Sequence, residues 1–122
     1  MPSVALLGSG LLGEAIGRRL LNQGVDLKVW NRTPERCQTL MEAGAQVVDD
    51  LSSVAAGCSS VITVLRDGPV TQQVVAELGD LHRCCLMPMG TMGITEIRKL
   101  AQQVEGQNGT CLEAPVLGSK PQ

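Results

Sequence analysis

The sequence predicts an α/β fold, a doubly wound parallel sheet with helices on both faces. Three observations carry that expectation. Apolar runs of strand length alternate with helically spaced segments along the whole chain, an order that fits strands joined by crossover helices. Ser3-Val4-Ala5-Leu6-Leu7 and residues 59–65 are short and almost continuously apolar or β-branched, as strands buried on both faces are. Between the first run and the first helical segment lies Gly8-Ser9-Gly10-Leu11-Leu12-Gly13, a glycine turn that joins a strand tightly to a helix.

Each element has its own justification. In the first helical segment Leu12, Ala15, Ile16 and Leu20 share one face of a 3.6-residue turn, and Asn22-Gln23-Gly24 closes it. Asp26-Leu27-Lys28-Val29-Trp30 alternates polar and apolar as a strand with one partly exposed face. Pro34 suits a helix start, so residues 35–43 are expected to be helical up to Gly44. Residues 46–48 form a short third strand, and residues 51–57 a brief helix with Ser52 and Ser53 near its cap. Residues 59–65 are the next strand, broken by a turn at Arg66-Asp67-Gly68-Pro69. A helix over 70–78, a strand over 83–87 and a helix over 95–104 follow. Gln107-Asn108-Gly109 then turns into a last strand over 110–113. No repeat, linker or low-complexity segment interrupts the series.

Composition narrows the function classes. The chain has 122 residues, 43% hydrophobic and 18% charged, with net charge −2, which fits one soluble globular domain. That balance argues against a nucleic-acid-coating surface. With one Trp and neither Phe nor Tyr, stacked recognition of single-stranded bases is excluded and the core must be aliphatic. No apolar run approaches the length of a bilayer span, so no membrane role is expected. The five cysteines, at 37, 58, 84, 85 and 111, are scattered, and His82 stands beside no partner at ligand spacing. They are expected to be reduced thiols in a cytoplasmic compartment, acting as small core hydrophobes rather than metal ligands.

The glycine turn gives the chemistry. Gly8 permits the tight turn, Gly10 removes a Cβ that would hold a pyrophosphate off the backbone, and Gly13 lets the helix lie close to the strand. The helix N-terminus adds unpaired N–H groups and a positive dipole end. In such a fold an acidic residue about 20 residues further on would bond the adenosine ribose and select NAD. This chain has Asn31-Arg32-Thr33 there instead. A guanidinium grips a 2′-phosphate that a carboxylate would repel, so the expected cofactor is NADP(H), in a Rossmann-type domain over residues 1–122.

Residues 8–16 and Val29-Trp30-Asn31-Arg32-Thr33 together resemble the amino-terminal domain of the β-hydroxyacid dehydrogenases, the 3-hydroxyisobutyrate dehydrogenase-like family. The resemblance continues at Val64-Leu65-Arg66-Asp67 and Met89-Gly90-Thr91. It is most specific at Leu112-Glu113-Ala114-Pro115-Val116-Leu117-Gly118-Ser119-Lys120-Pro121, closest to the glyoxylate/succinic semialdehyde reductase branch. It implies that Gly8, Ser9, Gly10, Leu11, Leu12 and Gly13 line the pyrophosphate and nicotinamide, and that Asn31, Arg32 and Thr33 hold the adenosine end. Leu65 and Arg66 would flank the cofactor, Thr91 would meet the nicotinamide ribose, and Leu117, Gly118, Ser119 and Lys120 would hold a substrate carboxylate. The implied reaction is hydride transfer between NADP(H) and a small carboxylate-bearing aldehyde or hydroxyacid.

Two departures from the family pattern bear on substrate. Pro88, Met89, Gly90 and Thr91 stand where the family writes Asp-x-Ser-Thr, and Leu117 stands at a family serine. A pocket short of two hydroxyls suits a small or less polar semialdehyde. The family's general-acid lysine belongs to a helical domain that would follow Gln122, and Lys120 precedes it. No catalytic residue is therefore expected within the chain, which is read as the cofactor-binding half of a larger enzyme. Assembly, in the family, runs through that helical domain. A non-catalytic NADP(H)-binding module and an imine reductase-like enzyme on the same scaffold are the alternative readings.

Overall fold

A computed structural model describes residues 3–8, 10–90 and 92–112. Six strands, β1 (Ser3–Leu7), β2 (Asp26–Trp30), β3 (Gln46–Val47), β4 (Cys58–Val64), β5 (Cys85–Met89) and β6 (Thr110–Cys111), form one sheet. Every pairing is parallel and the spatial order is β3-β2-β1-β4-β5-β6. The helices are α1 (Leu11–Asn22), α2 (Gln38–Glu42), α3 (Leu51–Val54), α4 (Gly68–Leu78) and α5 (Ile94–Gly106). The doubly wound Rossmann-type expectation therefore holds. The chain reverses its direction of travel across the sheet between β1 and β4, and that switch point opens a crevice at the carboxyl ends of the strands.

Strand alternation divides the core in two. Ala5 and Leu7 of β1, Val61 of β4 and Leu86 of β5 face a layer made by Val54, Val74, Val75, Leu78, Leu100 and Val104. Leu6, Leu27, Val29 and Ile62 face the other way, onto Leu40 and Cys37. The core is aliphatic throughout, as the composition requires.

Several boundaries differ from expectation, each for a physical reason. On α1 the buried positions are Gly13 and Gly17, whereas Leu12 is exposed, as is Ala15. A Cβ at Gly17 would stand 2.8 Å from Leu40 Cδ1 and 3.1 Å from Leu6 Cδ2, so the helix packs by its missing side chains. The segment after Pro34 splits into a 3-10 turn, Pro34–Cys37, and the short α2. The cap of α3 is Asp50, which accepts the Ser52 N–H at 3.1 Å, and both serine hydroxyls donate back to Asp50. Residues 66–69 are not a free turn: Asp67 caps α4 by accepting the Val70 N–H at 3.0 Å, and Pro69 lies in the first turn. Strand β5 runs on through Pro88, because β6 pairs only with Cys85 and Leu86 and demands no N–H further along. Arg83, expected in that strand, instead takes a left-handed turn conformation, φ 67°. The last strand is Thr110–Cys111, and Glu113 lies outside the described residues.

Candidate dinucleotide site

The first strand ends at Leu7 in register with Trp30 of β2 and Thr63 of β4, so the segments that follow these strands emerge side by side. Gly8 donates its N–H to the Trp30 carbonyl at 2.8 Å, tying the glycine turn to the end of β2. Its φ of +105° lies in the left-handed region, and a Cβ there would collide with the Val64 carbonyl oxygen. A Cβ at Gly13 would come within 2.6 Å of the Gly8 carbonyl oxygen. Both glycines are thus explained by the chain's own packing.

Gly10 is different. It is the N-cap of α1, it makes no side-chain cap bond, and a Cβ built on it would meet nothing within 4 Å. Among the described residues, nothing beyond its chain neighbours requires glycine at that position. Open space in front of a helix N-terminus, with first-turn N–H groups that have no intrahelical acceptor, is a cradle for an anion that approaches the backbone closely. The residues present fit a dinucleotide pyrophosphate. Leu11, 95% exposed, and Leu12 flank the same opening.

The second part of the site is a cleft of about 160 Å³ beside that turn, lined by Trp30, Asn31, Arg32, Leu65, Arg66, Val70 and Val74. The end of β2 supplies the first three of these, the loop after β4 the next two, and α4 the valines. Asn31 donates from Nδ2 to the Thr33 carbonyl at 2.9 Å, which braces the loop that presents Arg32. Arg32 is exposed and forms no ion pair among the described residues. Among the described residues, no carboxylate lines the cleft.

The structure thus brings Gly8, Gly10, Leu11, Leu12, Gly13, Asn31, Arg32, Thr33, Leu65 and Arg66 to one edge of the sheet. Ser9 and Thr91, the substrate-loop residues Leu117, Gly118, Ser119 and Lys120, and the Glu-Ala-Pro-Val segment lie outside the described residues. Sequence reasoning missed Trp30, Val70 and Val74 as walls of the cleft; the Pro69 helix start could have signalled the valines. It also missed Gly90, φ +111°, whose Cβ would stand 3.7 Å from the Leu65 carbonyl oxygen.

A larger hollow, about 380 Å³, lies at the opposite edge, lined by Cys58, Asp80, His82, Arg83 and Cys84 among others. Burial pushes the Cys58 and Cys84 thiols up, further from the nucleophilic thiolate. The Cys84 thiol donates to the Cys58 carbonyl at 3.0 Å. No group of three His, Cys, Asp or Glu side chains able to hold a metal ion occurs among the described residues.

Residues 3–122 match the family described as the NAD binding domain of 6-phosphogluconate dehydrogenase. Among curated relatives, glyoxylate/succinic semialdehyde reductase 1 of Arabidopsis thaliana is 34% identical over 96% of this chain and 42% of its own length. The human cytokine-like nuclear factor N-PAC is 30% identical over 96% of this chain and 22% of its own length. Among solved structures, an imine reductase from a Pseudomonas species superposes with a TM-score of 0.86 at 30% identity. It covers 92% of this chain and 40% of that one. The chain therefore spans less than half the length of the relatives it matches.

Proposed function

This chain belongs to the family of NAD-binding domains of 6-phosphogluconate dehydrogenase, and from that premise we propose that it is the NADP(H)-binding domain of a reductase for small carbonyl substrates. The observation that carries the cofactor choice is Arg32 in the adenosine cleft, with no carboxylate lining it among the described residues. NADP(H), when bound, supplies the hydride. The chain's own part is to hold it. The first-turn N–H groups of α1 receive the pyrophosphate in front of Gly10, and Gly8 and Gly13 keep that turn tight. Arg32 grips the 2′-phosphate, with Asn31 and Thr33 shaping its loop. Residues 117–120 receive the substrate carboxylate, and the proton donor to the carbonyl lies outside this chain.

The substrate class we propose is a small semialdehyde or α-oxo acid, of the glyoxylate or succinic semialdehyde kind, handled as in a 3-hydroxyisobutyrate dehydrogenase-like enzyme. Support comes from the Arabidopsis relative, a glyoxylate/succinic semialdehyde reductase by name. The imine reductase likeness supports a second reading, in which the same scaffold reduces a C=N bond. We place the protein in the cytoplasm, assembled through a helical domain beyond this chain.

Replacing Arg32 by Asp in the enzyme that carries this chain should weaken NADPH by about tenfold or more while leaving NADH little changed. Equal effects on both cofactors would remove the assignment. NADPH oxidation with glyoxylate and succinic semialdehyde, but not with a cyclic imine, separates the two substrate readings.

A further inference from the structure

We propose that Arg66 is a second specificity-determining residue for the cofactor's adenosine 2′-phosphate, closing a two-guanidinium grip with Arg32 across the cleft. The inference rests on the NADP(H) reading above and adds a residue to it.

The topology brings the two arginines together. Arg32 follows β2 and Arg66 follows β4, the two strands that flank β1, and both side chains line the one cleft. The rest of that lining is Asn31 and a largely apolar set, Trp30, Leu65, Val70 and Val74, which suits an adenine ring. The positive charges therefore stand beside an apolar seat with no carboxylate in the lining among the described residues.

Arg66 is also held in place. Its Nε lies 3.4 Å from an Asp67 carboxylate oxygen, and the other oxygen of that carboxylate caps α4 through the Val70 N–H. The guanidinium is thus tethered to a helix N-terminus rather than left on a free stem. Of the five N–H donors of a guanidinium, that contact uses the Nε one, and the two Nη groups remain for an incoming anion. At 81% side-chain exposure, Arg66 is not occupied by packing. Asp67 takes up part of the Arg66 charge on the Nε side and is itself offset by the α4 dipole, so the unpaired positive charge of the cleft is that of Arg32, and Arg66 adds its Nη donors to it. A phosphate dianion offers three acceptor oxygens, enough for forked bonds from both guanidinium groups.

A guanidinium at an apolar cleft has one competing use, stacking flat on the adenine, which a nucleotide without the 2′-phosphate would need equally. The test uses 2′,5′-ADP and 5′-AMP, titrated calorimetrically into this chain and into its Arg66→Gln variant. The expected result is that the variant binds 2′,5′-ADP about tenfold more weakly and 5′-AMP within about twofold of the original, with a shallower salt dependence for 2′,5′-ADP. Thermal unfolding of the variant should match the original, since the side chain is exposed. An equal loss for both nucleotides assigns Arg66 to stacking and overturns the proposal. An undiminished preference for 2′,5′-ADP in the variant overturns it too, while leaving the NADP(H) reading intact. An original chain that binds both nucleotides equally well removes the NADP(H) reading and this inference with it.

Discussion

Two glycines of one turn have different reasons to be glycine, and each predicts a separate outcome. Gly8 combines a left-handed backbone with a collision between any Cβ and the Val64 carbonyl. Gly8→Ala should therefore destabilise the empty protein by about 2–4 kcal/mol, whatever it does to ligand. Gly10 has neither constraint, since a Cβ there meets open space. Gly10→Ala should cost the empty protein under about 1 kcal/mol, as a poorer N-cap, yet weaken dinucleotide binding by about tenfold or more. Thermal unfolding with and without NADPH reads both. A Gly10→Ala protein that binds NADPH as well as the original would mean that the open space is not where the pyrophosphate lies.

Packing at the level of elements turns on closeness rather than on apolar bulk. Helix α1 meets the sheet through Gly13 and Gly17, and Gly17 is enclosed by Leu40 and Leu6, both fully buried. Gly17→Val should cost about 1–3 kcal/mol by overpacking, read as a lowered denaturant midpoint. An unchanged midpoint would mean that α1 can move outward at no cost, contrary to the close fit. This is also where the sequence was least legible. Periodicity identified α1, α4 and α5 and the strands β1, β2 and β4, because long apolar patterns leave few options. It placed Ile16 and Leu20 on the packed side of α1 correctly but Leu12 and Ala15 wrongly, and it missed Gly13 and Gly17, because glycines register as gaps in a hydrophobic pattern when they are the contact surface. Asp67-Gly68-Pro69 suggested a turn for a related reason: the residues that end one element are also those that cap the next. For the site, the glycine turn and Arg32 stood out as a motif. Trp30, Val70 and Val74 did not, since what makes them wall residues is strand order, which only the fold supplies.

For the molecule as a whole, the candidate site lies at one edge of the sheet among the described residues. The carboxyl ends of the strands carry the glycine turn and the arginine cleft. The opposite edge carries the hollow beside the Cys58 and Cys84 thiols, whose ionisation burial opposes. A thiol held protonated in the fold contributes stability below its unfolded pKa, about 8.5, and that contribution is lost as pH rises through the higher folded value. The protein should accordingly lose stability as the pH rises from about 8.5 through the higher folded value. At pH 8 both thiols should resist iodoacetamide until the chain is unfolded. Rapid labelling of Cys58 or Cys84 in the folded state would show that this edge opens readily.

The edge with the glycine turn carries the central claim, that it is a dinucleotide cradle whose adenosine end selects the phosphorylated cofactor. The most direct measurement is a calorimetric titration of this chain with NADPH and, in parallel, with NADH. Binding at one site, with NADPH about tenfold or more the tighter ligand, is the predicted result. No binding of NADPH at millimolar concentration would contradict the cradle, and equal affinity for the two would contradict the role of Arg32.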